Sequence, residues 1–93
     1  MPALPAQLSV RVLTPERTLY AGPAVAVASF NDRGPFSILP LHTNFISIIR
    51  KQLTVFLTRQ ERQDIPVDVG VVICRANTVE VYLGITTAAS RVS

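Results

Sequence analysis

Apolar residues recur at every second position over short stretches, and turn-forming residues interrupt each stretch before it grows long. Leu8, Val10 and Val12 lie on the side opposite Ser9 and Arg11, and Val79, Val81 and Leu83 share one side of a second run. A period of two places alternate side chains on opposite faces of a strand. No window carries a 3.6-residue period, and no capping box precedes an apolar stripe. Strands alone must therefore build the core, which predicts an all-β antiparallel sandwich or barrel.

The breaks are as regular as the runs. Thr14-Pro15-Glu16-Arg17 turns the chain, because proline presets the first corner of a β-turn. Ala21-Gly22-Pro23 ends a short strand, and residues 24–30 form a run of small and β-branched residues, buried on much of both faces. Asn31-Asp32-Arg33-Gly34 is the next turn, residues 36–39 a short strand, and Pro40-Leu41-His42-Thr43-Asn44 a further break. Two runs, 45–49 and 53–58, flank Arg50-Lys51-Gln52 and predict a hairpin. Residues 59–63 form a polar tip. The run 65–74 starts near Pro66, which predicts an edge or a strand start, and contains Gly70, which predicts a bulge or a close backbone approach. Ala76-Asn77 turns into the last strand.

Ninety-three residues allow one domain and one core. Apolar residues make up 48% and charged residues 16%, which argues against disorder. No apolar run reaches the ~18 residues of a membrane helix, and the N-terminus has no signal-peptide pattern. The expectation is a soluble, cytoplasmic chain. The net charge is +3, and eight of the nine basic residues are arginines scattered along the chain. Nucleic-acid binding calls for a denser basic patch with stacking aromatics, so no nucleic-acid partner is expected.

The chemical inventory is sparse. His42 and Cys74 are the only histidine and cysteine, too few for a metal site or an internal disulfide. A Cys74–His42 dyad is the sharpest catalytic possibility, but no signature surrounds Cys74, which reads as a small buried hydrophobe. The carboxylates sit in turns or on polar strand faces; Asp68, between Val67 and Val69, reads as solvent-facing. No phosphate-binding or nucleophile-elbow motif occurs. No catalytic, cofactor-binding or metal-ligating residue is expected, and a binding or structural role is the default.

The residues also resemble a family. Leu8-Ser9-Val10-Arg11-Val12-Leu13-Thr14-Pro15-Glu16, then Leu19-Tyr20-Ala21-Gly22, look like the opening of the N-terminal β-sandwich domain of the F-type ATP synthase epsilon subunit, called delta in mitochondria. The stretch from Gly34 to Phe45 with its Pro40-x-His42, and Val69-Gly70-Val71 with Val79-Glu80-Val81, are similar to its later elements. The resemblance covers residues 7–85 and leaves 1–6 and 86–93 as tails. Ser37, Leu41, Thr43 and Asn44 stand where the family usually has Gly, Gly, Ala and Pro, and Lys51-Gln52 replaces a common Pro-Gly turn. Losing those glycines predicts altered turn geometry.

The resemblance implies a sandwich of about ten short strands and a rotor component of the central stalk without an active site. Such a component docks to the gamma subunit and the c-subunit ring, coupling ion flow to ATP synthesis or hydrolysis. It implies a peripheral subunit on the cytoplasmic side of the inner or plasma membrane, with no direct membrane insertion. By resemblance, Thr14, His42 and Ser47 face gamma, and Asp32, Arg33, Gly34 and Pro35 form the loop facing the c ring. Family members usually continue into a C-terminal helical hairpin that can inhibit hydrolysis or bind ATP; the chain, ending at Ser93, is expected to lack it. The rival reading is a free-standing β-sandwich module that binds a small ligand or an acidic polymer.

Overall fold

The computed structural model describes residues 7–41 and 44–84. Their secondary structure consists of seven strands: β1 (Leu8–Leu13), β2 (Thr18–Ala24), β3 (Ala26–Asn31), β4 (Gly34–Ile38), β5 (Phe45–Phe56), β6 (Arg62–Arg75) and β7 (Thr78–Leu83). They form one sheet in the order β2-β1-β7-β6-β5-β3-β4. Side chains from all seven strands enter a single buried cluster. The sheet must therefore fold over on itself, with its alternating apolar positions turned inward.

The all-β class expected from the alternation is present. The strands number seven among the described residues, against the ten or so expected, because several turn signals lie inside strands. Ala21-Gly22-Pro23 is part of β2, and Arg62 and Gln63, read as polar tip, open β6. The hairpin expected at Arg50-Lys51-Gln52 is a correction: β5 runs through it unbroken. One pairing also departs from the antiparallel expectation. β1 and β7 lie parallel, the rest of the chain serving as their crossover.

Two irregularities let β5 and β6 bend with the folded sheet. Ile49 opposes Gly70, whereas Lys51 opposes Val67, so Asp68 and Val69 together oppose Arg50. This one-residue bulge switches which β6 residues face inward: Ile65 and Val67 before it, Gly70, Val72 and Cys74 after it. On the other side of β5, Ala28 opposes Thr54 and Phe30 opposes Arg50. Ser29 alone therefore spans the three residues 51–53. Ser29 is 3% exposed, and its hydroxyl donates a 2.7 Å hydrogen bond to the Gln52 carbonyl. Lys51 takes a positive φ of 74° there, the remnant of the turn signal.

Gly70 bears out both halves of its reading. It adjoins the bulge, and a Cβ on it would stand 2.7 Å from Leu83 Cδ2 and 2.9 Å from the Tyr82 carbonyl. At Leu41 the expected change in turn geometry does not occur, while Thr43 lies outside the described residues. The Leu41 φ of 69° keeps the left-handed conformation that a glycine would take at that position, and the Leu41 amide donates a 2.7 Å hydrogen bond to Asn77 Oδ1.

Candidate docking surface

The β3–β4 turn is built by one side chain. Asn31 Oδ1 accepts the Arg33 amide at 2.8 Å, and its Nδ2 donates to Ser47 Oγ at 3.2 Å. Gly34 closes the turn with φ 119°, a conformation open to glycine at little cost. Pro35 is exposed on β4, the last strand of the sheet. Asp32 pairs with Arg50 at 3.8 Å, both side chains more than half exposed, so the pair contributes little to stability. Arg33 is exposed and has no ion pair among the described residues. Asn31, Asp32, Arg33, Ser47 and Ile48 line one shallow notch.

Thr14 lies elsewhere. Its hydroxyl accepts the amides of Glu16 and Arg17 at 3.3 and 3.1 Å and donates to the Arg17 carbonyl at 3.1 Å, so it is spent on the β1–β2 turn. The row Leu13–Tyr82–Val71–Ile48 crosses β1, β7, β6 and β5. Three strand spacings, about 14 Å, thus separate the end of β1 from β5. The structure groups Ser47 with Asp32 and Arg33 rather than with Thr14. His42 lies outside the described residues.

Sequence reasoning missed a surface that the register reveals. Ile46 opposes Ile73, and Ile48 opposes Val71, on the face of the sheet away from the core. Ile46 and Ile48 are 68% and 56% exposed. Across β7 the same face carries Tyr82 and the Arg11–Glu80 ion pair, closed at 3.0 Å. Tyr82 donates its hydroxyl proton to Glu80 Oε1 at 2.9 Å. That bond, then burial, pushes the Tyr82 pKa up. The sequence signal was the loss of alternation in Phe45-Ile46-Ser47-Ile48-Ile49, which makes both faces of the strand apolar.

Cys74 is 1% exposed, and burial pushes its thiol pKa up, as expected of a small core hydrophobe rather than a nucleophile. No group of three potential metal ligands occurs among the described residues. No helix among them is long and apolar enough to cross a membrane.

The β-sheet folds around one core and leaves Ile46 and Ile48 exposed on its outer face. Residues 7–88 match the family "ATP synthase, Delta/Epsilon chain, beta-sandwich domain". The chain belongs to that family, and the two-layer sandwich accounts for the folded sheet. No curated protein matches the chain. Among solved structures it is similar to a chain of the Euglena gracilis mitochondrial ATP synthase (OSCP/F1/c-ring in rotational state 1), with a TM-score of 0.79 and 14% identity over 88% of this chain. It is also similar to a chain of the Tetrahymena thermophila mitochondrial ATP synthase (central stalk/c-ring), with a TM-score of 0.67 and 15% identity over 82% of this chain. The chain spans 53% and 62% of the lengths of those two chains. At such identities the likeness is one of fold.

Proposed function

We propose that the chain is a non-catalytic component of the central stalk of an F-type ATP synthase, docking to the gamma subunit and to the c-subunit ring. The observation that carries this reading is the family match over residues 7–88. The assemblies containing the two similar folds, one described as a central stalk with its c ring, agree with it. The exposed isoleucines of β5 supply a surface that a partner would dry, and burying apolar area stabilises a complex by roughly 25 cal/mol per Å² before the costs of association.

Within this reading, the β5–β6 outer face and Ser47 meet gamma, and Thr14 and His42 are proposed, by resemblance alone, to contact gamma as well. The turn Asp32-Arg33-Gly34-Pro35 meets the polar loops of the c ring, where Arg33 pairs with a carboxylate or another acceptor. The chain then sits at the membrane surface as a peripheral subunit and transmits rotation rather than performing chemistry. The rival, a module for acidic polymers, calls for a basic groove. Arg11, Arg50 and Arg62 are instead each paired with a carboxylate, and no observation favours that rival. Co-purification with the cognate gamma subunit at micromolar concentration tests the stalk reading. A stable one-to-one complex is expected, and two separate peaks would end it.

A further inference from the structure

Four stretches have a flank that pairs with no strand among the described residues: the outer sides of β2 and β4, the 62–68 part of β6 beyond its pairing with β7, and the 46–49 part of β5 beyond its pairing with β3. Such a flank presents free N–H and C=O groups to any passing strand.

Three of the four carry a proline. Pro23 opposes Ser9, whose amide is directed to the Asn77 carbonyl on the β7 side. The pair Ser9–Pro23 therefore exchanges no hydrogen bonds, and the proline nitrogen faces the open side of β2. Pro35 opposes Phe30 on β4, and Pro66 opposes Gln52, whose carbonyl is taken by Ser29. Because proline has no amide to give its partner, these nitrogens too face outward. All three residues are exposed, so they fill no core space. Prolines placed this way stop strand addition.

The fourth flank has no proline. The Gly84 amide donates to the Val69 carbonyl, which sets the alternation on β6. Val71 and Ile73 direct their backbone groups to β7, and Gly70 and Val72 direct theirs to Ile49 and Ser47. The backbone groups of Ile46 and Ile48 consequently point away from β6, into the open flank. Among the described residues, the neighbouring Ser47 hydroxyl, at 3.2 Å, is the Ile48 carbonyl's partner. The side chains of the same two isoleucines are more than half exposed.

We infer that the Ile46–Ile48 edge of β5 is a strand-addition site, which takes an extended apolar segment of the partner subunit in line with the end of β3. The segment pairs its backbone with Ile46 and Ile48 and lays its outward side chains beside theirs. The notch of Asn31, Asp32, Arg33 and Ser47 borders the edge. The inference rests on the stalk reading and specifies how the partner binds.

Amide hydrogen exchange of the 93-residue chain, alone and with the cognate gamma subunit, tests it. Exchange at Ile46 and Ile48 should slow by at least about tenfold in the complex, while Ala21 and Ser37 on the proline-guarded edges stay unchanged. Ile48→Pro should weaken gamma binding by at least about tenfold, whereas Ile48→Val, which keeps the amide, should not. If Ile48→Pro fails to fold, the exchange of the unaltered chain decides. A complex that forms with Ile46 and Ile48 unslowed overturns the inference and leaves the stalk reading standing. No complex at all overturns both. Slowing that rises with the concentration of the chain alone assigns the edge to a second copy and overturns the inference.

Discussion

Ser29 Oγ donates a 2.7 Å hydrogen bond to the Gln52 carbonyl at the place where three residues of β5 face one of β3. A strand that bends out of register exposes carbonyls the ladder no longer pairs, and this buried hydroxyl satisfies one of them. Ser29→Ala should cost about 1–3 kcal/mol, because it leaves a partly buried acceptor unpaired. Urea unfolding measures this; a loss below about 0.5 kcal/mol would show that water replaces the hydroxyl freely.

Gly70 sits against β7 with no room for a side chain. A Cβ would lie 2.9 Å from a backbone carbonyl that cannot rotate aside. Gly70→Ala should therefore destabilise the fold by about 1–3 kcal/mol through overpacking. Thermal unfolding reads the loss, and an unchanged midpoint would mean that β6 and β7 can separate cheaply there.

At Leu41 the backbone keeps a glycine's conformation while carrying a leucine, two-thirds exposed. The left-handed region costs a non-glycine residue about 1–2 kcal/mol. The substitution Leu41→Gly relieves that strain but enlarges the freedom of the unfolded chain, so a net gain of up to about 1 kcal/mol is expected. Denaturant midpoints compare the two; a loss of stability would show that the Leu41 side chain packs usefully.

Alternation in β1 and β7 and the roles of Gly70 and Pro66 were legible because each is a local matter of period or backbone space. The continuous β5 was not. Arg50-Lys51-Gln52 has the polarity of a hairpin turn, and long-range pairings hold it inside a strand: Phe30 with Arg50, Val67 and Pro66 with Lys51 and Gln52, and the Ser29 tether. The grouping of Ser47 with Asp32 and Arg33 depends on Asn31 reaching across from β3, a contact between residues 16 positions apart. The open face of Ile46 and Ile48 was hidden because an apolar run looks the same whether its second face is buried or waiting for a partner.

Cys74 and Tyr82 both hold their protons more tightly in the folded chain, Cys74 because of burial and Tyr82 chiefly through its bond to Glu80. A raised folded pKa contributes stability that is complete below the unfolded values, 9.0 and 10.0. That contribution is lost as pH climbs through the folded ones. The urea midpoint should thus hold up to the ordinary cysteine value and decline in more alkaline solution. The Cys74→Val variant should begin its decline later, at the tyrosine; identical curves for the two chains would remove Cys74 from the account.

The central claim is that the apolar outer face of β5 is a docking surface for the gamma subunit. Titration calorimetry of the cognate gamma with the chain and with its Ile48→Lys variant tests it most directly. Residue 48 is exposed, so the lysine leaves the fold intact while placing a charge in the contact. The account predicts a micromolar or tighter complex that the lysine weakens by at least about tenfold. Equal affinities for the two chains, or no binding by either, would contradict it.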